Sequence, residues 1–140
     1  MFKKYFYTNI FMQKTFGIIA AIYGMLAVVL GAFGAHALKD KLDVYQHTIY
    51  EKAVSYQFYH IAALLAVAFF ADKMQTKTLN YAGWFFTAGI LFFSGSLYLL
   101  ATRSLLGTDA LTPVLGPITP IGGLCLIIGW ILLLLSFTKL

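Results

Sequence analysis

Tyr50-Glu-Lys-Ala-Val-Ser-Tyr-Gln-Phe-Tyr-His60 leads into the second of four long apolar stretches, and its reading decides the fold. Residues 53–71 contain no Asp, Glu, Lys or Arg, so the segment reads as a helix entering a bilayer with polar groups at its first end. At 100° per residue Lys52, Ser55, Tyr56, Tyr59 and His60 fall on one arc of that helix, with Gln57 at its edge. An ionisable side chain inside a membrane is costly, which makes His60 the first candidate for a functional residue.

Outward from this stretch, residues 16–35, 78–102 and 110–138 are equally free of charge. Each matches the roughly 20 residues that a helix needs to cross the hydrocarbon core. The chain is 61% hydrophobic and 11% charged, with a mean hydropathy of +0.83. A soluble domain has about 25% charged residues, and so few could not cover a water-facing surface. The fold class expected is therefore all-α, an integral membrane four-helix bundle forming one domain over 1–140. Its spans should lie at about 16–37, 53–71, 79–101 and 119–137.

Local signals refine the boundaries. Asp43 with Gln46 three residues on has the pattern of a capping box, so the second helix should start near residue 44. Thr119-Pro120 suggests an N-cap followed by proline at the first helical position of the fourth helix. Small residues recur at helix-packing spacing. Gly17, Ala20, Gly24, Ala27, Gly31 and Gly34 alternate three- and four-residue steps, Gly89 lies on a heptad with Ala82 and Ser96, and Gly122 and Gly129 continue the pattern in the last helix. Such rows let backbones approach closely, whether the neighbour is a helix of this chain or of a second copy.

The formal charge is +5, but the basic residues sit at helix ends, as in membrane proteins, so nucleic acid is not an expected partner. Six of them (Lys3, Lys4, Lys14, Lys73, Lys77 and Lys139) fall on the side of the N-terminus, and Lys39, Lys41, Lys52 and Arg103 fall opposite. That count favours both termini in the cytoplasm, at the inner membrane of the cell. A start at Met12 would reduce it to four against four. Ala35-His36-Ala37 has the small-residue pattern of a signal-peptide cleavage site, yet residues 16–35 exceed the usual apolar region of such peptides, so a retained first helix is expected. Cys125 is the single cysteine and allows no internal disulfide.

Alternating spans bring the polar residues toward one membrane face. His60 lies about 10 Å past the interface, Ser94, Ser96 and Tyr98 lie near the end of the third helix, and His36 and Thr119 lie at the mouths of the first and fourth. His36, Tyr56, Gln57, Tyr59, His60, Ser94, Ser96, Tyr98 and Thr119 are thus the candidate polar pocket. Three readings stay open: hydrogen bonding between helices, a small-molecule or proton site, and a partner-binding surface. His36/Asp40 and His47/Glu51 have helical spacing but no supporting ligand cluster, so no metal is expected. His36 and His60 differ too much in depth to share a haem. No acid in the third or fourth span could orient His60 for Ser94 or Ser96, and no nucleophile elbow or phosphate-binding glycine loop occurs. No cofactor is expected, no catalytic residue is assigned, and the balance is against an enzyme.

Gly31-Ala-Phe-Gly-Ala-His36, Tyr56-Gln-Phe-Tyr-His60, Phe93-Ser-Gly-Ser-Leu-Tyr98, Thr119-Pro-Ile-Gly-Gly123 and Gly129-Trp130 resemble, in order, the motifs of the small membrane family known as domain of unknown function 423, which includes bacterial inner-membrane proteins of the YgdD type. The resemblance covers about residues 16–135. It implies a four-helix membrane protein that keeps its first helix, and it brings no established activity or cofactor. The reading that follows is a small membrane protein of unknown biochemical role, acting in interaction or assembly, with a polar pocket at one leaflet. Besides the lipid bilayer, its expected partners are a second copy of itself or another membrane protein. The alternative is an oligomeric transporter or channel for protons or small solutes. A pathway needs polar residues at both leaflets, whereas residues 62–70, 84–86 and 131–135 would seal the other half.

Overall fold

The computed structural model describes residues 2–74 and 77–138, with side chains from Ile10 onward. Lys139 and the side chains of Lys3 and Lys4, which enter the charge count, lie outside the described residues. The chain is built from α1 (Phe2–His36), α2 (Val44–Phe70), α3 (Lys77–Leu106), a 3-10 turn (Asp109–Leu111) and α4 (Thr112–Phe137). All four helices are long and apolar enough to cross a membrane. At 1.5 Å per residue the 27 residues of α2 extend about 40 Å, longer than a hydrocarbon core of ~30 Å, so part of α2 lies among the headgroups.

Asp43 caps α2. Its side chain accepts from the Gln46 backbone N–H (2.8 Å), and the Gln46 side chain accepts from the Asp43 N–H (3.0 Å). The Gln46 amide then donates to the Ser104 hydroxyl (3.0 Å), tying the start of α2 to the end of α3. α4 starts seven residues before the expected Thr119-Pro120, with Pro113 in the first turn and Pro117 and Pro120 inside the helix. Each internal proline removes one backbone donor. The Thr119 hydroxyl donates to the Leu115 carbonyl (3.3 Å) in that weakened stretch, and neighbouring helices make such interruptions tolerable.

α2 and α3 form the central pair, with α1 packed mainly on α2 and α4 on α3. The larger apolar core holds Phe16, Leu64, Val67, Leu79 and Phe86, all fully buried. A smaller cluster of Leu38, Leu42, Tyr50 and Ala101 closes the other end. Outward-facing Leu91, Phe92, Ile127, Trp130 and Leu134 are all exposed, an arrangement suited to lipid rather than to water.

The small-residue rows serve two different ends. A Cβ on Gly122 would strike the Phe93 backbone nitrogen, and one on Gly129 would come within 2.8 Å of the Phe86 ring. Gly89 is covered by Leu126, and Gly34 by the Tyr50 ring. The seam expected on α1 is narrower than its sequence suggests. Ala20, Ala27 and Gly34 are buried, but a Cβ at Gly17 or Gly24 would meet nothing within 4 Å, and one at Gly31 would meet only Val54. The two rows are three residues apart, hence turned by about 60°, and α2 covers only one of them.

Candidate functional site

Gln57, 4% exposed, is the centre of the polar structure. Its amide donates to the Tyr23 carbonyl of α1 (2.8 Å), and its side-chain oxygen accepts from the Tyr98 hydroxyl of α3 (2.9 Å). The Tyr23 hydroxyl in turn donates to the Thr87 carbonyl of α3 (3.1 Å). One heptad before Gln57, the Tyr50 hydroxyl donates to the Leu30 carbonyl of α1 (2.9 Å), and the Tyr50 ring meets Tyr98 edge-on at 5.0 Å. Tyr23 and Leu30 are also a heptad apart. Antiparallel α1 and α2 are thus joined by two rungs, in which side chains of α2 reach backbone oxygens of α1. Small residues at Ala27 and Gly34 leave those oxygens within reach.

His60 follows Gln57 by three residues and so points about 60° away. It is 7% exposed, and its ring lies against Tyr56, Phe86 and Trp130 with centroids 5.9–6.1 Å apart. Its Nδ1 hydrogen-bonds the Tyr56 carbonyl (2.7 Å), an interaction within α2. Among the described residues no side chain hydrogen-bonds its Nε2. Ser96 and Thr119 form a third group, with hydroxyls 2.7 Å apart across α3 and α4. Ser94 is buried with no hydrogen-bond partner among the described residues. Tyr59 is exposed, and among the described residues its ring meets only that of Tyr56; His36 is exposed at the end of α1.

The nine sequence-derived residues therefore fall into separate groups rather than around one cavity. Gln57 and His60 lie within one turn of α2 but differ in azimuth: Gln57 turns to α1 and α3, His60 to the aromatic side chains of α3 and α4. Tyr23, Tyr50 and Thr87 were missing from the set. Tyr23 carried a signal, being the one hydrogen-bonding side chain within residues 16–35. Chemically, the Gln57 group holds an amide and hydroxyls with defined partners and no carboxylate or imidazole, so it joins helices and offers no acid–base pair.

Fold and site together define a small helical membrane protein with four spans, knit by hydrogen bonds from side chains to backbone between its helices. The chain belongs to the family of proteins of unknown function DUF423, whose model matches residues 30–123. It is similar to a UPF0382 membrane protein of Staphylococcus aureus, 44% identical over 127 residues covering 91% of this chain and 98% of the relative. A UPF0382 membrane protein of Bacillus subtilis is 42% identical over 128 residues, with the same coverage. One from Staphylococcus saprophyticus is 41% identical over 128 residues, covering 91% of this chain and all of the relative. No solved structure matches the chain.

Proposed function

We propose that this protein is an assembly component of the inner membrane, with both termini in the cytoplasm, and that it offers its outer helix faces to a second copy or to another membrane protein. The observation that carries this reading is the state of its buried polar groups. Gln57, Tyr98, Tyr23 and Tyr50 are engaged between helices, and the opposite half is filled by Phe16, Leu64, Val67 and Phe86. A solute pathway needs polar surface through both leaflets. A proton pathway needs titratable groups in line, and the Gln57 amide interrupts any such line. A bundle secured in this way keeps its shape, which favours service as a docking element.

The test is reconstitution into liposomes that contain a pH-sensitive dye. Proton entry should equal that of protein-free liposomes, while a photo-crosslinker at Ile127 should give one discrete protein adduct in cells. Proton entry clearly above that of protein-free liposomes would overturn the reading in favour of the channel. Reporter fusions at Asp109 and after Thr138 should report opposite sides of the membrane, with the C-terminal one cytoplasmic.

A further inference from the structure

Between the last turns of α1 and the first turns of α2 lies an open cleft of about 260 Å³. This is several times the ~30 Å³ share of one water. Gly31 and Gly34 line it on α1, and His47, Glu51, Val54 and Ser55 line it on α2. His47, Glu51 and Ser55 follow one another at four-residue steps, so they share one arc, with about 6 Å of rise between neighbours.

The polar groups of this wall can all accept hydrogen bonds. His47 Nε2 is 3.0 Å from the Lys39 carbonyl oxygen, which can only accept, so the ring donates through Nε2. A neutral His47 then keeps its lone pair on Nδ1. The Ser55 hydroxyl accepts as well as donates. Glu51 is an exposed carboxylate with no ion pair or hydrogen bond among the described residues. The ion pair found there joins Arg103 to Asp109. Lys52, the next residue, points about 100° round the helix and does not line the cleft. Glu51 lies in the second turn of α2, two residues before the charge-free stretch that begins at Ala53, which sets it at headgroup depth.

A free negative charge among acceptors at headgroup depth is complementary to a primary ammonium, which carries three donors and a positive charge. The rest of the lining is Gly31, Gly34, Ala35, Val54 and Tyr50, whose hydroxyl is already donated to the Leu30 carbonyl. One heptad along α1 from Gly31, the space beside Gly24 is empty to 4 Å. We propose that the cleft binds the headgroup of an aminophospholipid, with its ammonium on Glu51 and an acyl chain passing along α1 beside Gly24.

Native mass spectrometry of the full chain, delipidated and then given phosphatidylethanolamine or phosphatidylcholine with identical acyl chains, tests this directly. The trimethylated ammonium of phosphatidylcholine has no N–H to donate. Phosphatidylethanolamine should be retained at least about tenfold better, the scale of a charge-assisted hydrogen bond. Glu51→Gln should abolish the preference and leave the melting temperature unchanged, because Glu51 has no partner among the described residues. Gly31→Val, which fills the cleft where only Val54 is near, should lower retention of phosphatidylethanolamine by itself. Equal retention of the two lipids, or a preference that survives both substitutions, would overturn the proposal. Glycerophosphoethanolamine, which lacks acyl chains, should not compete. Competition as strong as that of the intact lipid would overturn the assignment to a lipid.

Discussion

The α3–α4 and α1–α2 interfaces are both antiparallel and both rich in small residues, yet they are held by different forces. Between α3 and α4 the glycines are filled: Gly122 lies against the backbone of Phe92 and Phe93, Gly89 beneath Leu126 and Gly129 against Phe86. The attraction there is close van der Waals contact, aided by the Ser96–Thr119 pair. Between α1 and α2, the Tyr50 and Gln57 side chains reach backbone oxygens, and Gly17 and Gly24 stay unfilled. A small-residue repeat thus says that backbones can approach, without saying that they do. What separates the two cases is whether a neighbouring helix covers the row.

The sharpest way to break this comparison is to substitute, in turn, a filled glycine, the central amide and an uncovered glycine. Gly122→Ala places a Cβ against backbone that cannot rotate away, so α3 and α4 must separate, at a cost of about 3 kcal/mol. Reversible unfolding in mixed micelles would measure it, and a loss below ~1 kcal/mol would show that α4 slides freely. Gln57→Leu comes next. It removes both bonds of the central amide and leaves the Tyr98 hydroxyl without that partner, for about 1–2 kcal/mol by the same measurement. It should also increase hydrogen exchange in α1 more than in α4. Gly24→Ala is the smallest, within about 0.5 kcal/mol of the parent and of either sign, since the added methyl meets nothing and alanine favours a helix. A large loss at Gly24 in detergent would mean that its row is already covered, most simply by a second copy.

The spans were legible because charge is excluded from long windows, and the start of α2 because Asp43 and Gln46 form a local motif whose geometry needs no tertiary context. The close approach at Gly89, Gly122 and Gly129 was equally readable from heptad spacing. Azimuth was not. Gln57 and His60 lie within one turn of each other, but which neighbours each faces depends on how α2 is turned against α1, α3 and α4, which no local pattern records. The first turns of α4 were hidden for another reason: three prolines within eight residues argue against a helix locally, and contact with α3 outweighs that preference.

The two rungs between α1 and α2 also bear on how the chain enters the membrane. α2 is the least apolar of the four spans and carries Gln57 and His60 into the bilayer. Alone there, the Gln57 amide would have no acceptor outside its own helix. It is synthesised, however, directly after α1, whose Tyr23 and Leu30 oxygens already face outward. Tyr50 and Gln57 therefore meet their acceptors before α3 exists, whereas the Gln46 amide and the Tyr23 hydroxyl wait for Ser104 and Thr87 of the third helix, where Tyr98 also reaches Gln57. Donors shared between α1 and α2 are thus satisfied first, and those that need α3 last.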